Sequence, residues 1–120
     1  MRVAYHGEYL AFFETGRVEA FRQVGMLYST VVERGLHLAV VEAQVRYLKP
    51  AVFDDLLLVS THLADLGRAT FSLTYCLERE PDRALLATGR TVHACVDATS
   101  LRPTRLPGWL LEALRLLEPA

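Results

Sequence analysis

The sequence lacks the features that mark several common classes of protein. Its two cysteines, Cys76 and Cys95, are too few for a disulfide scaffold. No apolar run approaches the ~18 residues of a membrane span, and the N-terminus has no signal-peptide core. Basic residues do not outnumber acidic ones, since 13 against 14 give a formal net charge of −1. Nucleic-acid binding by bulk positive charge is therefore not expected, and we predict a cytoplasmic protein with free, buried thiols.

Patterns of metal-binding and phosphate-binding residues are also missing. The histidines His37, His62 and His93 have no ligand spacing with one another or with the cysteines. There is no glycine-rich phosphate loop and no serine-nucleophile motif. We predict no metal site and no cofactor.

Apolar residues, in contrast, are abundant. They make up 52% of the 120 residues, and the mean hydropathy is +0.20, which excludes a disordered chain. The length predicts a single domain over residues 1–120. So high an apolar content in a small domain indicates surface that a partner covers, most simply a second copy of the chain.

Hydrophobic periodicity predicts a long helix, four strands and a short final helix. Consecutive strands with short turns indicate a largely antiparallel sheet. The long helix must bury its apolar stripe on that sheet, which gives a two-layer α+β domain. The predicted ranges are 8–24 for the helix, from 36 to Pro50, 56–66, 70–78 and 85–96 for the strands, and 109–117 for the final helix.

Three local features have specific structural consequences. Gly16 in mid-helix implies tight packing on it, because glycine costs about 1 kcal/mol relative to alanine in a helix. Thr30 and Glu33 have the spacing of a capping box for a short second helix. Alternating apolar residues are predicted to share one face of the first strand (Val41, Ala43, Val45 and Tyr47) and one face of the third strand (Phe71, Leu73, Tyr75 and Leu77).

The start of the chain carries the most informative segment. It reads Val3-Ala4-Tyr5-His6-Gly7-Glu8-Tyr9-Leu10, followed by Phe13-Glu14 and Arg17. It resembles the acyl-CoA thioesterases of the 4-hydroxybenzoyl-CoA thioesterase family, whose Tyr-His pair leads into an aromatic residue, a glutamate and an arginine on a central helix. Segments 47–51 and 66–71 are similar to the family's strand end and next hairpin. The resemblance implies the hotdog fold, a long central helix wrapped by a curved antiparallel sheet.

The resemblance implies a thioester site at the N-terminus of the central helix. Free backbone N–H groups there would stabilise the developing oxyanion, and a carboxylate would act as nucleophile or general base. The candidate catalytic residues are His6, Glu14 and Glu8. The candidate substrate-binding residues are Tyr5, Gly7, Tyr9 and Arg68, the last of which would meet the phosphates of coenzyme A.

Several of these residues also have a plain structural interpretation. His6 could be a helix cap, Tyr5 a core aromatic, and Glu14 a neighbour of Arg17 on a solvated face. The chain also departs from the family pattern, whose catalytic aspartate and opening strand would lie ahead of Met1. Either the natural product extends further upstream, or this is a genuine short form with a weakened or lost active site.

We therefore expect a hotdog domain that hydrolyses an acyl-CoA thioester without a metal or redox cofactor. The resemblance also implies a homodimer or homotetramer, in which the strand around residues 38–48 pairs with its copy. A second interpretation stays open, a non-catalytic acyl-thioester-binding module that has lost the catalytic aspartate.

Overall fold

The computed structural model describes residues 7–51, 55–80 and 82–119, and these hold three helices and four strands. The predicted long helix, the four strands and the final helix are confirmed close to their predicted ends. Among the described residues, none of the helices has the length and apolar content that a membrane crossing requires. The elements are α1 (Gly7–Gln23), α2 (Tyr28–Glu33), β1 (Leu36–Tyr47), β2 (Leu56–Leu66), β3 (Thr70–Glu80), β4 (Ala84–Asp97) and α3 (Gly108–Arg115).

The four described strands form one antiparallel sheet in the order β1-β4-β3-β2. The helix α1 crosses one face of this sheet and packs on β2 and β3. We refer to that face as the inner face. The predicted alternation of β3 is confirmed, because its inner-face side chains are all buried: Phe71, Leu73, Tyr75 and Leu77.

Two glycines allow α1 to lie close against the sheet. A Cβ added at Gly16 would lie 2.5 Å from Cγ1 of Val59 on β2, so the predicted tight packing on Gly16 is confirmed. On β4, a Cβ added at Gly89 would lie 2.8 Å from Cδ2 of Phe13. The Phe13 ring stacks on Tyr75, with centroids 4.9 Å apart. These contacts hold α1 over β2, β3 and β4 and leave β1 at the uncovered edge.

The C-terminal segment ties the opposite edge of the sheet to the core. Leu110 and Leu114 of α3 are fully buried. Beyond α3, the backbone N–H of Leu63 on β2 donates a hydrogen bond to the carbonyl of Leu117, at 2.8 Å. The segment therefore braces β2 by a backbone contact as well as by apolar packing.

The capping box predicted at Thr30 and Glu33 is wrong. The N-cap of α2 is Leu27, and no side chain caps this helix. The N–H of Thr30 already bonds to the Leu27 carbonyl at 3.0 Å, so Thr30 lies inside the first turn. Gly35 follows the helix with a φ of +78°, a conformation that glycine adopts without strain.

The face predicted for the first strand is wrong at Val41. Val40 pairs with His93 and Ala43 pairs with Thr91, with a register shift between Val40 and Glu42. His93 and Thr91 share a face of β4, so Val40 and Ala43 share the inner face of β1. Val41 is the extra residue of a β-bulge and falls outside that alternation.

Candidate active site

The first turn of α1 is anchored beside the end of β1. Gly7 is the first residue of α1, and Glu8 follows in the first turn with an exposed side chain. Tyr9 is buried, its hydroxyl accepts a hydrogen bond from the Ala51 N–H at 3.1 Å, and its ring lies edge-on to Tyr47. The first N–H groups of a helix have no partner within the helix. The turn that begins at Gly7 can therefore present donors to a ligand.

Two of the candidate residues, Tyr5 and His6, lie outside the described residues. The others can be placed. Tyr9 projects into the core, where its hydroxyl is already used, and the roles of Gly7 and Glu8 in binding and catalysis stay predictions.

Glu14 lies at a different place from Glu8. Six residues of helix correspond to about 9 Å along the axis and about 240° around it. Glu14 lines a cavity of about 440 Å³ between the second half of α1 and the start of β1, which His93 also lines. Glu8 and Glu14 thus do not form a carboxylate pair, because Glu8 lies in the first turn of α1 and Glu14 near its middle.

A chain of hydrogen bonds joins Arg17 to His93, two residues that both line the cavity. The Arg17 Nη1 donates to the Tyr75 hydroxyl at 3.1 Å. That hydroxyl lies 2.7 Å from the Thr91 Oγ1, which lies 2.8 Å from Nε2 of His93. Arginine can only donate. If each hydroxyl gives its proton to the next group, Nε2 of His93 is the final acceptor.

His93 is held neutral in this chain. Its side chain is 2% exposed and its ring stacks on Phe71, with centroids 4.9 Å apart. Burial, together with the positive charge of Arg17, lowers the pKa of His93 from 6.5 to about 4. At neutral pH the imidazole therefore carries no charge, which agrees with a role as acceptor at Nε2.

Arg68 is remote from the start of α1 within one chain. It is exposed on the turn between β2 and β3. Its backbone carbonyl oxygen accepts a hydrogen bond from the Leu106 N–H, at an N···O distance of 2.9 Å. The pairing of Thr70 with Ala94 places this turn at the end of the sheet where β1 begins. Tyr47, near the start of α1, pairs with Ala87, so the two ends are separated by roughly 20 Å of strand.

The described residues show little potential for metal or thiol chemistry. No group of three His, Cys, Asp or Glu side chains among them is placed to hold a metal ion. Cys95 is buried, and burial raises the pKa of its thiol. Cys76 on β3 is half-buried and free.

Tyr75 and Thr91 carry no local motif that marks them as members of this hydrogen-bonded chain. A signal was present, because both fall at positions that the strand alternation places on the buried face. A hydroxyl at such a position needs a hydrogen-bond partner. The partners themselves depend on the register between β3 and β4.

Comparison with known proteins gives consistent matches over most of the chain. The model of the thioesterase-like superfamily matches residues 1–114. The chain is 33% identical to a 1,4-dihydroxy-2-naphthoyl-CoA hydrolase of Thermosynechococcus vestitus, over 92% of this chain and 79% of that protein. It is 32% identical to an acyl-CoA thioesterase of Haemophilus influenzae, over 88% and 76% of the two chains. A solved DHNA-CoA thioesterase of Staphylococcus aureus superposes with a TM-score of 0.85 at 26% identity, over 95% and 78%.

Proposed function

Because this chain belongs to the thioesterase-like superfamily, we propose that it hydrolyses an acyl-CoA thioester to the free carboxylic acid and coenzyme A. The observation that carries the proposal is the match of that family over residues 1–114, which includes the start of α1. All 120 residues would form one domain, and the same proposal gives a cytoplasmic location and needs no cofactor.

The proposed reaction uses the N-terminus of α1 as the carbonyl site. The thioester carbonyl oxygen would accept hydrogen bonds from backbone N–H groups of the turn that begins at Gly7. The helix dipole also favours negative charge there. Water, activated by a carboxylate, would add to the carbonyl carbon, and the C–S bond would break to release the coenzyme A thiol. His6 directly precedes α1, and its backbone N–H would serve as a further donor.

We further propose that the chain associates through β1. This strand is an edge of the described sheet and is 12 residues long. Exposed edge strands of this length readily pair with another strand. Apolar side chains along β1 and just after it are 45–58% exposed in the single chain: Val40, Val41, Tyr47 and Leu48. A homodimer, or a homotetramer built from such dimers, would cover them.

Antiparallel pairing of β1 with its copy would place the end of β1 in one chain beside the start of β1 in the other. The start of α1 lies beside Tyr47 at the end of β1. The cavity with Glu14 and Arg17, and the turn with Arg68, lie at the end where β1 begins. A two-fold axis across β1 therefore supports sites shared between chains, with Arg68 of one chain near the α1 start of the other.

The test is an assay of coenzyme A ester hydrolysis, in which the release of free thiol is measured. The wild-type chain is assayed with aliphatic and aromatic acyl groups, beside Glu8→Gln and Glu14→Gln. Loss of the general base or nucleophile should lower kcat/KM by about 100-fold or more. The matched control is Glu19→Gln, because Glu19 is on the same helix but pairs with Arg22.

Each outcome has a distinct meaning. A strong loss in only one of the two variants identifies the acting carboxylate. Wild-type kcat/KM in both variants shows that neither carboxylate is the base. Tight binding of a coenzyme A ester without turnover would refute the enzyme and favour the non-catalytic binding module.

A further inference from the structure

The cavity beside Arg17 has the properties of a small-ligand site. Its volume of about 440 Å³ lies within the usual range for such sites. Its walls are largely apolar and come from α1, the connection after α1, the starts of α2 and β1, and His93 on β4. Phe21, Met26 and Leu38 provide buried apolar surface.

Arg17 introduces an unpaired charge into this apolar wall. Three arginines among the described residues are half-buried, Arg17, Arg79 and Arg90. Arg79 and Arg90 each pair with an aspartate. Arg17 has no carboxylate within ion-pair distance in the described part of the chain, and its one hydrogen bond goes to the Tyr75 hydroxyl. Most donors of its guanidinium are therefore available to a ligand.

The neighbours of Arg17 hold it without neutralising it. Tyr75, Thr91 and His93 form a fixed chain of neutral groups behind the guanidinium. Glu14 also lines the cavity, but its side chain is exposed and makes no ion pair with Arg17. The site thus combines one partly desolvated positive charge with apolar walls, and a carboxylate matches the donor fork of a guanidinium.

We propose that this cavity binds an amphipathic carboxylic acid, with the carboxylate on Arg17 and the apolar body against Phe21, Met26 and Leu38. Binding itself does not require that the chain be an enzyme. Only the further step, that the acid is the product of the thioester hydrolysis, rests on the proposed function.

The experiment measures binding by calorimetry at pH 7.5 on the full chain, without any thioester. Octanoate is the probe, 1-octanol tests the apolar body without the charge, and acetate tests the charge without the body. We expect octanoate to bind more tightly than either. Arg17→Gln should weaken octanoate roughly 10- to 100-fold and leave 1-octanol unchanged.

Arg22→Gln is the matched control, because Arg22 lines the same cavity but already pairs with Glu19. It should leave octanoate affinity unchanged. Val18→Trp, at an exposed position on the cavity rim, keeps Arg17 and should block both octanoate and 1-octanol. This variant tests the site even if Arg17→Gln folds poorly.

Three results would overturn the proposal. The first is equal affinity of the wild type for octanoate and 1-octanol. The second is equal weakening of octanoate by Arg22→Gln and Arg17→Gln. The third is a wild type that does not bind octanoate and whose self-association is weakened by Arg17→Gln, because a second copy of the chain then fills the cavity. None of these results depends on hydrolysis, so failure here is separable from failure of the proposed function.

Discussion

His93 should make the stability of the fold depend on pH. The imidazole is buried in the core and stacked on Phe71, and its pKa is lowered from 6.5 to about 4 by burial and by Arg17. In the unfolded chain it takes up a proton as the pH falls through 6.5. In the folded chain it does so only near pH 4. Between these values the unfolded state binds more protons, so stability falls as the pH is lowered.

The size of the effect follows from the same shift. A difference of about 2.5 pH units, at 1.36 kcal/mol per unit, corresponds to about 3 kcal/mol. This stability is fully present above pH 6.5 and is lost as the pH falls to about 4. That is a large fraction of the stability of a domain this size.

The assay is urea denaturation at steps between pH 7.5 and 4, on the wild type and on His93→Gln. Glutamine cannot take up the proton, and it also loses the stacking on Phe71, so the variant is less stable at pH 7.5. The difference between the two proteins should shrink by about 3 kcal/mol toward pH 4. His62→Gln, at an exposed position on β2, is the matched control and should follow the wild-type curve in parallel.

The carboxyl group of Asp97 titrates below this window. N–H groups of Ser100 and Thr99 lower the pKa of Asp97 below its ordinary 3.8. A lowered carboxyl pKa gives stability that is present above 3.8 and lost below it. A constant difference in unfolding free energy between wild type and His93→Gln from pH 7.5 to 4 would show that the fold does not hold His93 neutral.

Two further predictions concern packing and association. Gly89→Ala should lower the free energy of unfolding by about 1–3 kcal/mol, because its Cβ would press on the Phe13 ring. Gly108→Ala, with open space around it, should have little effect in the same urea titration. Equal losses of unfolding free energy in the two variants would contradict the close packing at Gly89. Val41→Lys, on the exposed edge of β1, should shift a sedimenting dimer toward monomer at micromolar concentration, whereas Leu101→Lys at an exposed turn should not. A wild-type monomer would reject the proposed edge pairing.

Much of the fold could be predicted because the strands show the alternation of apolar and polar residues in the sequence itself. The ends of β2 agree with the prediction, since Gly67 follows it directly. The inner face of β3 agrees as well, because strict alternation leaves one possible buried set. The hotdog fold that the resemblance implied is confirmed, with α1 on a curved antiparallel sheet and thioesterases among the similar structures.

The errors arose where structure depends on distant pairing. The bulge at Val41 is set by the register between β1 and β4, which the local alternation of β1 does not contain. The capping box failed for a related reason, since the chain enters α2 at Leu27 and Thr30 already lies within the helix. A capping motif gives the spacing of two residues but not where the helix begins.

The site could be predicted only in part for the same reason. The start of α1 and the position of Glu14 on it follow from local sequence. The chain from Arg17 through Tyr75 and Thr91 to His93 does not, because its members come from α1, β3 and β4. Strand alternation places three of these polar groups on the buried face, but only the pairing of β3 with β4 makes them neighbours.

The uncovered edge and the unpaired arginine have a common structural origin. Gly16 and Gly89 allow α1 to lie close on β2, β3 and β4, so Val40 on the inner face of β1 stays half exposed. Within the described part of the chain, the Arg17 guanidinium therefore meets the cavity and not a carboxylate. A bulkier residue at Gly89 would lift α1 from the sheet and disturb that cavity. The same close packing that gives the single chain its core therefore leaves the apolar surface and the charge that a second copy and an acidic ligand are proposed to satisfy.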